Sequence, residues 1–234
     1  MTMITIETDG GSFEAYVANP VSARPESPAP GLLVIQEIFG VNTVMRDICD
    51  EYAGKGYVAV CPDIFWRQEP GIQLTDQKQE HWDRAFELYQ GFDEALGVED
   101  LKATLAHMRG MDLVNGKVGS MGFCLGGKLA YLMATRSDAD CNVSYYGVGI
   151  DNALDEASNI SHPLLMHIAE KDGFVPPEAQ AKINDTVGPI ASVDAHTYEG
   201  QDHAFARVGG DHYHKASADL ANGRTADFLK ANLA

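Results

Sequence analysis

Long apolar runs are missing from this chain: nothing approaches the roughly 20 consecutive residues that a bilayer-spanning helix needs. The opening Met1-Thr2-Met3-Ile4-Thr5-Ile6-Glu7 has neither the basic nor the apolar region of a signal peptide, so a cytoplasmic location is expected. Basic residues are scarce as well. Lys and Arg number 17 against 34 Asp and Glu, for a formal charge of −17, which leaves no basic face for nucleic acid or an anionic membrane. Cysteines are few, and Cys49, Cys61, Cys124 and Cys141 stand at neither zinc-ligand nor disulfide-framework spacing, so all are read as reduced. His212-x-His214 has no cysteine or acid at the spacing of a metal site and reads as a solvated loop. No metal and no cofactor are expected.

What is present is the composition of a globular chain, 45% hydrophobic and 22% charged. Its 234 residues suit a single α/β domain over 1–234, expected as a monomer. Residues 3–8 and 12–18 alternate apolar and polar around Asp9-Gly10-Gly11, which reads as a hairpin. Asn19 to Gly31 holds four prolines and reads as an extended loop. Leu32-Leu33-Val34-Ile35 and Tyr57 to Pro62 read as strands buried on both faces, with a helix from Thr43 to Lys55 between them. Gln77 to Gly91 reads as a helix that could serve as a lid, with Trp82, Ala85, Phe86 and Tyr89 on one face. Another helix runs to Arg109. Strands at 141–147, 163–169 and 192–198 then alternate with helices at 176–187 and from Lys215 to about 232. That alternation implies a mostly parallel twisted sheet with helices on both faces, preceded by the antiparallel hairpin.

One stretch carries chemistry. Lys117 to Met133 reads as a buried strand, a glycine-crowded turn and an apolar helix, with Cys124 at the vertex of Gly122-Phe123-Cys124-Leu125-Gly126. Gly-x-Cys-x-Gly is the spacing of a nucleophile elbow with sulfur in place of a hydroxyl, and the helix start favours a thiolate. Asp172 and His203 follow later strands, at the carboxyl ends where open α/β sheets build their sites. Nucleophile, acid, histidine is the α/β-hydrolase order, with His203 as the proton carrier and Asp172 as its orienting acid. Asp202 is a poorer orienting acid, because adjacent side chains diverge. His167, within a strand, reads as a satisfied core residue.

With these placed, the chain resembles the dienelactone hydrolase family, the carboxymethylenebutenolidase-like α/β hydrolases. The points of likeness are Gln36-Glu37-Ile38-Phe39-Gly40, Cys61-Pro62-Asp63, Gly119 through Gly127, Tyr145-Tyr146-Gly147, and Gly200-Gln201-Asp202-His203-Ala204-Phe205-Ala206-Arg207. The resemblance implies an α/β-hydrolase fold and a Cys124, His203, Asp172 triad, with Glu37 accepting the thiol proton when substrate arrives. It also implies an oxyanion hole from the backbone N–H groups of Leu125 and Ile38. Arg207 would bind a substrate carboxylate, with Phe39, Trp82, Phe86, Tyr89, Tyr146 and Ala204 lining the substrate. Two positions depart from the family pattern: Trp82 stands where a second arginine is expected, and Ala204 replaces a serine. The activity implied is opening of a small lactone or ester, such as dienelactone to maleylacetate in the degradation of aromatic compounds, through a thioester. Alternatives are an esterase or thioesterase on a neutral substrate, or a binding protein without turnover. Glutamine amidotransferases share the cysteine elbow but need a late His-x-Glu pair, and here Ala204 and Phe205 follow His203.

Overall fold

The structure, a computed structural model, describes residues 2–233. It is an α/β fold of eight mostly parallel strands led by an antiparallel hairpin, and it divides into two compact units, one ending at Gly119 and one starting at Ser120.

In the first unit, β1 (Thr2–Thr8) and β2 (Gly11–Ala18) form the hairpin, in register from Thr2 opposite Val17 to Thr8 opposite Gly11. β2 continues antiparallel against β4 (Val58–Pro62), and β4 lies parallel to β3 (Ala29–Ile35). Every residue of β4 is buried; because side chains alternate between the two faces, both must be covered. Helices α1 (Thr43–Gly54) and α3 (Glu94–Arg109) pack on β3 and β4. Asn42 caps α1 by accepting from Met45 N–H at 3.1 Å, and Asp93 caps α3 through Leu96 N–H at 3.0 Å. β3 begins earlier than the prolines suggest, with Pro30 as its second residue. Proline is tolerated there because pairing with β4 starts only at Gly31.

The turn after β3 is held by its neighbours. Gln36 is fully buried; its Oε1 accepts from Ile64 N–H and its Nε2 donates to the carbonyl of Glu37. Gly40 has φ +77° and lies so near the next loop that a Cβ would sit 2.0 Å from the carbonyl oxygen of Ile72, which excludes any other residue. Helix α2 (Gln79–Gln90) is tied to that loop three times: Thr75 N–H donates to His81 Nδ1, Trp82 Nε1 to the carbonyl of Asp76, and Arg84 to Glu69. Its inner face is Ala85 and Leu88. Phe86, expected to line that face, is 36% exposed, because the helix turns Leu88 inward instead.

In the second unit, β5 (Val114–Phe123), which begins in the first, is followed in sheet order by β6 (Asn142–Tyr145), β7 (Leu164–Ala169) and β8 (Val193–Tyr198), all parallel. Helices α4 (Leu125–Arg136), α5 (Pro177–Val187) and α6 (Lys215–Leu233) pack against β6, β8 and β7. Two short 3₁₀ turns, Ile150–Asn152 and Leu154–Asn159, fill the β6 to β7 crossover, where the sequence shows no periodicity. Among the described residues no helix is long and apolar enough to cross a membrane.

His167 is 1% exposed on β7, and both ring nitrogens are bonded: Nδ1 to Tyr198 Oη at 2.8 Å and Nε2 to Thr225 Oγ1 at 2.9 Å. Arg224 donates to Tyr198 Oη, so the phenol's own proton points to His167 Nδ1, and the partners assign Nε2–H as donor to Thr225. Thr225 Oγ1 lies 2.7 Å from Tyr145 Oη, which donates to Asn222. A second ring proton would face a phenol already committed as donor. Burial, with the nearby His196 and Arg224, accordingly pushes the His167 pKa down to about 3.

The sign of the pH effect follows. The unfolded chain takes up a proton near pH 6.5 and the folded one does not until about pH 3, so stability is full above 6.5 and falls as pH drops between those values. The loss should be on the order of 4 kcal/mol over that window. Urea unfolding at pH 6.5 and pH 4 should show a shallower pH slope in His167→Asn than in wild type; equal slopes would assign acid loss to carboxylates.

Candidate active site

Cys124 occupies the junction between β5 and α4 with φ 56° and ψ −116°, outside the ordinary L-residue regions. The geometry explains the flanking glycines. A Cβ on Gly122 would lie 1.9 Å from the carbonyl oxygen of Gly126, closer than any real contact, so strand and helix can approach only because Gly122 has none. The elbow is tied to the end of β6: Cys124 N–H donates to the carbonyl of Tyr145, and Val148 N–H donates back to the carbonyl of Cys124. The thiol is partly exposed, whereas Cys49, Cys61 and Cys141 are buried.

The structure brings three of the expected residues together in the second unit. His203 Nδ1 lies 2.8 Å from Asp172 Oδ2, with both residues about 95% buried, and the His203 side chain hydrogen-bonds Cys124. The other Asp172 oxygen accepts from Phe174 N–H at 2.9 Å, so both carboxylate oxygens are occupied. Burial alone would pull the His203 pKa down. A Cys124 thiolate, the hydrogen bonds to Asp172 and Cys124, and the Asp172 charge outweigh that and carry it up to about 10. The imidazole lies edge-to-face between Tyr146, at 5.1 Å between ring centroids, and Phe174, at 4.9 Å. Tyr146 (φ 38°) and Ala204 (φ 63°) are, with Cys124, the non-glycine residues of positive φ among the described residues. Arg207 is partly exposed on the same loop as His203, with Gly210 packed against its guanidinium stem. Leu125 N–H belongs to the first turn of α4, where backbone donors point outward from the helix start.

The remaining candidates lie in the first unit. Glu37 and Ile38 are buried in the turn after β3, at 3% and 5% exposure. Trp82 is partly exposed, its ring edge-on to buried Phe39 at 4.9 Å and stacked on Phe86 at 5.6 Å, while Tyr89 lies further along α2, also partly exposed.

Three neighbours of His203 escape sequence reading. Phe174 belongs to no pattern that marks it. Asp202, weighed only as an orienting acid, uses its side chain on backbone: Oδ1 accepts from His203 N–H at 2.7 Å and Gly173 N–H at 3.3 Å. His212 is half exposed but not merely solvated, since its Nδ1 donates to the carbonyl of His203 at 3.1 Å. His214 instead pairs with Ser217 at the start of α6. Asp202 and His212 carry no motif signal because each acts on backbone groups of His203, and Phe174 carries none because its ring contact depends on how the loop folds.

A chain of Azospirillum brasilense provisionally named carboxymethylenebutenolidase is 54% identical to this one, with all of both chains covered. The carboxymethylenebutenolidase of Pseudomonas putida is 41% identical over 94% of this chain and 92% of that one. Among solved structures, a protein of Klebsiella pneumoniae provisionally named dienelactone hydrolase superposes with a TM-score of 0.85 at 25% identity, covering 98% of this chain and 97% of that one. The sequence pattern of the dienelactone hydrolase family matches residues 13–233, through both units, and the chain belongs to that family.

Proposed function

We propose that this protein hydrolyses a lactone or ester, with dienelactone as the preferred candidate substrate, through a Cys124 thioester. The observation that carries the reading is His203, held between Asp172 at 2.8 Å and the thiol at the vertex of the elbow. The name of the Pseudomonas putida relative supports the substrate class. In this reading the Cys124 thiolate attacks the lactone carbonyl, and the carbonyl electrons move onto oxygen. Collapse of the tetrahedral intermediate breaks the ring C–O bond and leaves a thioester, while imidazolium His203 gives its proton to the departing oxygen. Water, deprotonated by His203, then attacks the thioester; the C–S bond breaks and the product leaves as a carboxylate. Asp172 keeps the imidazole in one tautomer throughout. Leu125 and Ile38 N–H are assigned to the oxyanion, and Glu37 to accepting the thiol proton when substrate arrives, which leaves the attacking thiolate.

Arg207 is assigned to a substrate carboxylate. Arg207→Ala should raise KM for acidic lactones about 10- to 100-fold, the loss expected of a charge-assisted hydrogen bond, and change KM for neutral esters by less than about threefold. Equal effects on both classes would remove that role. A neutral ester or thioester substrate is the second reading, and Trp82 favours it: its Nε1 is used on Asp76, and its ring presents an apolar wall with Phe39 and Phe86 rather than a second cation. Turnover of neutral esters that exceeds that of dienelactone would select this reading.

A further inference from the structure

We infer that Asp202 is a positioning residue that fastens the loop bearing His203 to the loop bearing Asp172, with His212 as the second support of the His203 peptide. The inference deepens the hydrolase reading and rests on it for the role of His203.

β7 and β8 pair in parallel as far as Ala169 opposite Tyr198. Beyond that point the chains stay joined by Glu170 N–H to the carbonyl of Tyr198 at 3.2 Å, Lys171 N–H to the carbonyl of Gln201 at 2.7 Å, and Gly200 N–H to Glu170 Oε2 at 2.7 Å. Backbone pairing then ends, one residue short of Asp172 on one loop and two short of His203 on the other. At that point Asp202 Oδ1 supplies a single acceptor for two N–H groups, that of Gly173 beside the acid and that of His203 itself. A carboxylate oxygen has the lone pairs for both.

The other side of the His203 peptide is held too. Its carbonyl accepts from His212 Nδ1, so that nitrogen carries a proton, and His212 Nε2 lies 3.8 Å from Asp202 Oδ2. His203 therefore has its N–H and its C=O each bound by a side chain, and those two side chains face each other. The next residue, Ala204, sits at φ 63°, a left-handed conformation that is unfavourable for an alanine and persists only where the surroundings over-determine it. The Asp202 and His212 contacts are restraints of that kind. Asp202 is 43% exposed and His212 53%, so core burial does not account for either.

The test compares Asp202→Ala with Asp202→Asn, which keeps an amide oxygen as acceptor for both N–H groups. Two readouts are taken: steady-state kinetics on dienelactone, and the downfield proton resonance of the His203 Nδ1–H in its bond to Asp172. In Asp202→Ala, kcat should fall about 10- to 100-fold with KM within about threefold, and the resonance should shift or broaden; Asp202→Asn should keep both near wild type. Equal damage in the two variants would overturn the inference, because charge rather than an acceptor would then matter. An Asp202→Ala protein of lowered Tm but unchanged kcat and resonance would overturn it as well. If the alanine variant does not fold, the asparagine variant decides alone: a wild-type resonance upholds the clasp and a lost one overturns it. The resonance needs no substrate, so a wild-type protein that turns over no lactone or ester would sink the hydrolase reading and leave this inference standing on its own readout.

Discussion

Cys124→Ala should lower kcat by about 10⁴- to 10⁶-fold on any ester or lactone that the wild type turns over, which is the size of loss seen when a covalent nucleophile is removed from an otherwise intact site. The fold should persist, because the thiol is partly exposed and the hydrogen bonds that hold the elbow run through the backbone of residue 124. Cys124→Ser should lie near the alanine variant: a serine hydroxyl is a far weaker acid than a thiol, and an imidazole placed to deprotonate a thiol will not ionise it. Steady-state assays of the three proteins with matched thermal unfolding curves check this. Alanine activity within tenfold of wild type would remove the thioester from the mechanism. Alkylation by iodoacetamide adds the proton question, since Glu37→Gln should react faster than wild type if the carboxylate holds back thiolate formation. Equal rates would leave Glu37 a structural acid.

Gly122→Ala carries the second large effect, and here the backbone decides. A Cβ 1.9 Å from the carbonyl oxygen of Gly126 and 2.3 Å from its carbon cannot be relieved by turning a side chain, because both atoms are main chain in the first turn of α4. Strand and helix must separate by about 1 Å or more, and the loss should exceed roughly 3 kcal/mol, in the upper tail for a single substitution. The shift also carries residues 124 and 125 away from His203, so activity should fall even where the variant folds. Circular dichroism melts and kcat of Gly122→Ala measure both. A variant within 1 kcal/mol of wild type by the same melts would show that the elbow has slack that the geometry denies.

The same residue shows why much of the site was legible in sequence. Elbow glycines are demanded by local sterics over five residues, so spacing alone reports them. Asp172 and His203 were legible through chain order, since each follows a strand, Asp172 the buried apolar run of β7 and His203 the alternating, mostly unburied β8. Asp202 and His212 were not, because what they do depends on where two loop backbones part after β7 and β8, and no periodicity encodes that. Phe174 was hidden for a similar reason: its contact with His203 exists because Asp172 binds the Phe174 N–H and turns the ring toward the imidazole. In the first unit the helical spacing of α2 was visible but its rotation was not, so Phe86 was placed inward where Leu88 is. The start of β3 was obscured by Pro30, a residue whose breaking power lapses where no partner strand yet needs its N–H.

Cys124, Tyr146 and Ala204 hold left-handed backbone at three loop ends of one unit, beyond the strands that carry them. Durability and turnover therefore draw on the same atoms. A library screened only for heat resistance should collect glycine at 204, because that change relieves a left-handed conformation, whereas glycine at 146 would empty a buried aromatic site packed on Phe123, Tyr145 and Phe205 and be lost from the screen. Such survivors would melt about 2–4 °C above their parent and turn over substrate more slowly, so any programme to toughen this protein should leave those three positions untouched and work on the hairpin and the outer helices instead.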